Sequence, residues 1–381
     1  MFRNKYIAGD LLGHGVYWHS IDPLGSTVQT AHAGELLVSQ DPWFAPTDVT
    51  MGPEGAVYVS DWNDARTAHP DPDADWDRSN GRIYRIAKPG AQTVAPIDFA
   101  KQTLQELVAL HRHPSQWYVR RARQELVRRF NSSVPPVTDG NAKELQQLFF
   151  RTARESSDEL AALEALWSLN SVQGFDQSRA MHLLDSLHPA VRLWTVRLLG
   201  DAQLLSPELA HRLDEFAEQE SDLNVRQQLA SSAARFPPHQ AMPMINANIN
   251  RDIDIDDPYV PLLWWWAVER HSVVGREEVL KRFVRPTLWK SRLGRDVLLT
   301  RLIRRYTAER TIEGLEAVVR LLNSAPDTQT RQMLWPQVLL GWQEQPRDAS
   351  TETWLEQSRQ HEFAKLLLDD WHSSTRNGRA V

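Results

Sequence analysis

The stretch DPWFAPTDVTMGPEGAVYVSDWNDARTAHPDPDADWDRSNGRIYRI, residues 41–86, decides how the chain is read. Thr47-Asp48-Val49-Thr50-Met51 alternates polar with apolar side chains, the period of a strand that buries one face. Gly52-Pro53-Glu54-Gly55 supplies turn chemistry, because proline presets φ and glycine accepts positive φ. Ala56-Val57-Tyr58-Val59-Ser60 is rich in β-branched and aromatic residues and ends in Asp61-Trp62, and Arg82-Ile83-Tyr84-Arg85-Ile86 alternates again. A long polar loop rich in Asp and Pro, from Asn63 to Gly81, separates the last two runs. Three short antiparallel strands of this kind are the beginning of a propeller blade.

Upstream, GVYWHSI at 15–21 and STVQTA at 26–31 read as two strands about the turn Asp22-Pro23-Leu24-Gly25, the outer hairpin of a preceding blade. That makes about one and a half blades, against the four or so that a closed propeller needs. A partial propeller has open edges, which are an aggregation hazard. One of two outcomes is then expected. Missing blades come from another chain, or the strands pack as a small sheet on the helices downstream.

From Asp98 onward the pattern is helical. Asp98 is placed to cap the start, and Leu104, Leu107, Val108 and Leu110 share one face. A phrase then recurs: a turn with Pro, Asp or Ser, a β-branched residue, an Arg or polar residue, and an amphipathic helix. It runs as HPSQWYVRRARQELVRRF from His113, HPAVRLWTVRLLGD from His188, SDLNVRQQLASSAARF from Ser221 and DPYVPLLWWWAVERH from Asp257. Val119, Val191, Val225 and Val260 hold the matching position, and a weaker copy begins at Asp158. The intervals between Val191, Val225 and Val260, 34 and 35 residues, match paired-helix solenoids such as HEAT repeats, whose units are somewhat longer, about 40 residues. Two further helical pairs are expected over 276–342, then a final helix over 352–371 capped by Asp348-Ala349-Ser350-Thr351, with Trp354, Leu355, Phe363, Leu366 and Leu367 as its apolar positions.

The 381 residues suffice for two or three domains, and 41% hydrophobic with 24% charged residues is ordinary for a globular protein. Net charge is −6; residues 1–90 hold twelve acids against seven bases, so the rest is near neutral. Neither part has the positive balance of a nucleic-acid binder. With no cysteine there is no disulfide, no thiolate metal site and no covalent haem, whose C-x-x-C-H attachment needs two thiols. No apolar run reaches about 18 residues, so no membrane span is expected, and the N-terminus lacks the apolar core of a signal peptide.

WFAPTDVTMGPEGAVYVSDWNDAR and WDRSNGRIYRI resemble the end of the propeller in a planctomycete-type family described as membrane-bound dehydrogenases; LLGD at 198–201 belongs to phrases that family shows later. The resemblance spans roughly residues 10–340 and is strongest at 41–86. It implies a sugar-dehydrogenase-like propeller followed by HEAT-like repeats, often with a C-terminal c-type haem domain, in proteins that are generally exported. On that footing this chain is expected to be the downstream half of a split or truncated gene, extracytoplasmic in origin, stopping where relatives continue into the haem domain. Asp61, Asp64, Arg66 and His69 match the family's DW-x-D-x-R-x-x-H pattern at the blade's inner end. A His and a carboxylate there could serve as base and orienter on a polyol; the structural alternative has Asp61 capping the turn, Trp62 packing and Arg66 paired with an Asp.

Other clusters have plainer readings beside the sharp ones. Asp71, Asp73, Asp75 and Asp77 have a spacing that could wrap Ca²⁺, yet the EF-hand glycine and bidentate Glu are missing and two prolines fit a solvated loop. Trp264-Trp265-Trp266 could stack on a sugar, but a helix apolar all round is first a packing element. Residues 276–310 hold eleven Lys and Arg against four acids, either a docking surface for an acidic partner or the solvated face of helices. No P-loop, G-x-S-x-G, H-E-x-x-H or Rossmann glycine pattern occurs.

The sequence thus predicts a mainly α chain, a HEAT-like solenoid preceded by a partial β-propeller, with divisions at 1–90, 91–345 and 346–381. The expected role is a non-catalytic scaffold or interaction module with no cofactor of its own. The alternative is one half of a split or truncated sugar or polyol dehydrogenase-like oxidoreductase. The expected partner is whatever chain holds the missing blades.

Overall fold

The computed structural model describes residues 4–63, 79–131, 138–344, 356, 361–366 and 369–370. The chain is mostly helical, with two antiparallel three-stranded sheets at its N-terminus, and it divides into compact units Met1–Phe175 and Asp176–Val381.

The first sheet is β1 (Tyr6–Asp10), β2 (Gly15–Leu24) and β3 (Thr27–Val38) in sequence order; the second is β4 (Pro46–Met51), β5 (Val57–Asp61) and β6 (Arg82–Ile86). The second sheet lies where the alternation places it. Gly52 N donates to Ala56 O at 2.8 Å to close the turn, and Gly55 takes a φ of 81° that other residues resist. Within that turn Glu54 accepts from Tyr58 Oη at 2.7 Å and Arg85 Nε at 2.8 Å, locking it to both following strands. Val16, Phe44, Val57 and Val59 form a buried core between the sheets, with Ile7, Leu37, Val49 and Tyr84 around it.

Two sequence expectations are corrected here. β1 is a strand added to the two expected upstream, and Gly9 in it lies against Pro46 of β4, where a Cβ would come within 2.9 Å of the carbonyl oxygen. The hairpin turn sits later than the composition indicates. Asp22, Pro23 and Leu24 remain in the ladder opposite Gln29, Val28 and Thr27, and only Gly25, at φ 57°, has turn conformation requiring glycine.

In the first unit the helices are α1 (Leu104–Ala109), α2 (Gln116–Asn131), α3 (Asp139–Glu155) and α4 (Glu159–Ser171). Asp98 caps a short 3-10 turn, Phe99–Lys101, rather than α1. Thr103 caps α1 in a reciprocal box with Glu106, which satisfies two free amides at once. Glu125 and Arg129 then fasten α2 to the entry segment: Arg129 Nη2 donates to the carbonyls of Phe99, Ala100 and Gln102 at 3.2, 3.1 and 2.7 Å.

The second unit comprises α5 (Gln177–Leu183), α6 (Pro189–Ala202), α7 (Pro207–Gln219), α8 (Leu223–Ala233), α9 (Pro238–Ile249), α10 (Val260–His271), α11 (Arg276–Phe283), α12 (Thr300–Ala308), α13 (Ile312–Asn323), α14 (Thr328–Gln332) and α15 (Trp335–Gln343). A π-helical segment, Leu293–Leu299, leads into α12. The helices form two rows. α6, α8, α10 and α12 pack in succession, as do α7, α9, α11 and α13. Val119, Val191, Val225 and Val260, singled out by the recurring phrase, are all fully buried. Side chains stitch the first row together. Ser232 Oγ donates to Val196 O at 3.1 Å, His271 Nε2 meets Ala233 O at 2.8 Å, and Tyr306 Oη donates to Ser272 O at 2.9 Å. Of the expected last helix, residues 362–366 are helical and Phe363 packs on Trp335; its cap at 348–351, Trp354, Leu355 and Leu367 lie outside the described residues.

Candidate functional site

β5 delivers Asp61 to the end of the second sheet. Its residues alternate in burial, and the alternation turns Asp61 inward, leaving it 6% exposed. Oδ1 accepts from Ala45 N at 3.0 Å and from Asn63 N at 2.9 Å, while Trp62 N donates to Ala45 O at 2.9 Å. These bonds tie the end of β5 to the segment before β4, and Asn63 turns the chain with a φ of 50°. Oδ2 is buried and has no hydrogen-bond partner among the described residues. A carboxylate oxygen in that state is costly and can accept from a donor brought to it. Asp64, Arg66 and His69, the other members of the resemblance pattern, lie outside the described residues, as do the Ca²⁺ candidates Asp71, Asp73, Asp75 and Asp77. Among the described residues no three His, Cys, Asp or Glu side chains converge to hold a metal ion. Trp62 is about half exposed.

The first sheet presents two different faces. Ile7, Val16 and Leu37 point into the core between the sheets. On the other side a cross-strand aromatic row runs over all three strands: Tyr6 to His19 at 6.0 Å, His19 to His32 at 5.8 Å, and Tyr17 to His32 at 5.5 Å between ring centroids. Ile21 and Val28, both exposed, extend it.

In the second unit the buried charges are used for construction. Arg192 of α6 grips Glu220 with two bonds of 2.8 Å, and Arg226 of α8 grips Asp254 with two of 2.6 Å. Burial pushes the Glu220 carboxyl upward, but Arg192 and the amides of Asp222 and Ser221 outweigh it and hold it below the usual carboxylate range. At least five of the eleven cations in the basic stretch 276–310 are ion-paired. Arg276 and Arg305 pair with Glu309, Arg292 with Asp256, Arg295 with Asp296, and Arg304 with Glu344. In α10, Trp264 and Trp265 are buried whereas Trp266 is 54% exposed, so the helix packs two of its three tryptophans and shows the third to solvent.

Sequence reasoning passed over Asp214 and the Arg192 and Arg226 pairs. Asp214 sits in LDEFAEQ, which reads as the wet face of α7, and nothing local marks its burial. The pairs did leave a trace: each Arg follows its repeat valine, and each acid comes 28 residues later.

The described chain is therefore a mostly helical protein with a small N-terminal sheet region. A family profile described as Domain of unknown function (DUF7133) matches residues 1–90, the sheet region. No curated protein matches the chain. Among the described residues no helix is long and apolar enough to cross a membrane.

Proposed function

We propose that the chain is a non-catalytic interaction module: a HEAT-like helical array over residues 91–345 carrying the end of a dehydrogenase-like propeller at 1–90, with a terminal helix and tail at 346–381. The observation that carries this reading is the aromatic face of the first sheet. A sheet that buries one face on a neighbouring sheet and leaves Tyr6, Tyr17, His19, Ile21 and Val28 on the other is suited to a second sheet packed about 10 Å away. The partner is a polypeptide that supplies propeller blades. Mixing the chain with a sugar-dehydrogenase-like propeller truncated before its last blades tests this. A stable complex on size exclusion, lost in the Tyr6→Glu, Ile21→Glu double variant, is the expected result; two separate peaks for the parent would refute it.

The second reading is half of a sugar or polyol dehydrogenase-like oxidoreductase. Asp61 favours it, because its buried Oδ2, without a hydrogen-bond partner among the described residues, stands at the strand end where the resemblance puts polar site residues. On this reading the chain alone reduces no artificial electron acceptor with any aldose. The reconstituted complex does, and Asp61→Asn or His69→Ala abolishes the rate.

A further inference from the structure

Within the first unit a cavity of about 1510 Å³ lies between the sheets and the helices. We propose that it is a docking site for an extended peptide bearing apolar and acidic side chains. Met51 on the sheet side and Leu160 on α4 both line it, and each is 52% exposed, so large apolar surface is left uncovered on both walls. Ile7 and Ile86 continue the apolar lining.

Charge at the rim sets the sign of the occupant. Two acids line the cavity, and both are engaged. Asp158 Oδ1 accepts from Ala161 N at 2.8 Å at the start of α4, and Glu164 is held by Arg123. Lys88 and Arg112 also line it, and among the described residues neither has an ion-pair partner. Two uncommitted cations beside an apolar trough complement a carboxylate-bearing, partly apolar ligand. Size narrows the class. The volume exceeds the range of about 300–1,000 Å³ typical of small-molecule pockets, and a peptide lying along the trough fills more of it than a compact metabolite. Nucleic acid is disfavoured by the apolar walls and by the small number of free cations.

This site goes beyond the sheet-face reading and is physically separate from it. Ile7 lines the cavity, and successive side chains on β1 alternate, so Tyr6 points to the opposite face. Either proposal can fail alone.

The test uses the full chain and a fluorescein-labelled peptide of alternating leucine and glutamate, followed by anisotropy. Saturable binding is expected, weakened about tenfold or more by Lys88→Glu with Arg112→Glu and likewise by Leu160→Asp. All three positions are on the surface of the trough, and unchanged circular dichroism of the variants confirms that they fold. A leucine–lysine peptide should bind at least about tenfold more weakly. Equal binding of the two peptides, parent-like affinity of the variants, or no binding of the acidic peptide overturns the proposal. So does displacement by dodecanoate with no preference between peptides, which would assign the trough to a fatty acid.

Discussion

Asp214 shows how one side chain can oppose the fold that surrounds it. Its Oδ1 is buried without a hydrogen-bond partner among the described residues, and burial pushes its pKa up to about 6 against the fields of His211 and Arg282. The folded state thus holds its proton more tightly than the unfolded chain does. The contribution of this group favours folding most at low pH, falls as pH rises from about 4 to about 6, and is unfavourable above that. Asp214→Asn is expected to stabilise the protein at pH 7 and to flatten the pH dependence of the melting temperature across that window. The carboxylate is partly open to water, so the full linkage energy is discounted to about 1 kcal/mol. A variant that melts below the parent at neutral pH would contradict this. Asp61 was legible as a turn-forming acid after a β-run, since an Asp at such a place accepts from backbone amides. Its empty Oδ2 was not legible, because that depends on what the strand end is packed against. For Asp214 the same holds more strongly, as Arg282 comes from α11, far along the chain.

At the scale of elements, the repeat valines mark the register of successive helix pairs, with an Arg beside Val191 and Val225. Val225→Asp would bury a carboxylate with no partner and cost several kcal/mol, on the order of 3 or more; Val191→Asp should behave alike. Melting curves that match the parent for both would mean that the repeat assignment is wrong. Removing one member of a rung has a similar scale. Arg226→Ala leaves Asp254 buried and unpaired, an expected loss of about 3–5 kcal/mol in chemical denaturation, whereas Arg226→Leu with Asp254→Leu should recover much of it. A double variant as weak as the single one would argue against the pair as the cause. Helices were legible here because burial on one side writes a period into the sequence. The valines stood out for that reason. The misplaced hairpin turn has the opposite cause: Asp22-Pro23-Leu24-Gly25 has turn composition, but a ladder of cross-strand pairs overrode it.

Over the whole molecule, each compact unit has its own buried core, and this has a direct test. Residues 176–381 expressed alone should give a helical circular dichroism spectrum and a cooperative melt; a random-coil spectrum would show that this core depends on the first unit. The overall charge balance, legible from composition, said little about any surface. The eleven cations of 276–310 looked like a patch in the sequence, and among the described residues the fold pairs at least five of them with acids.

The bidentate rungs of the second unit divide its stability into local steps. Arg192 of α6 reaches Glu220 at the end of α7, and Arg226 of α8 reaches Asp254 just after α9, so each rung ties a helix to the end of the one that follows it and acts locally. Removing one rung is therefore expected to loosen its own helices and leave the next rung in place, which local hydrogen-exchange protection would read.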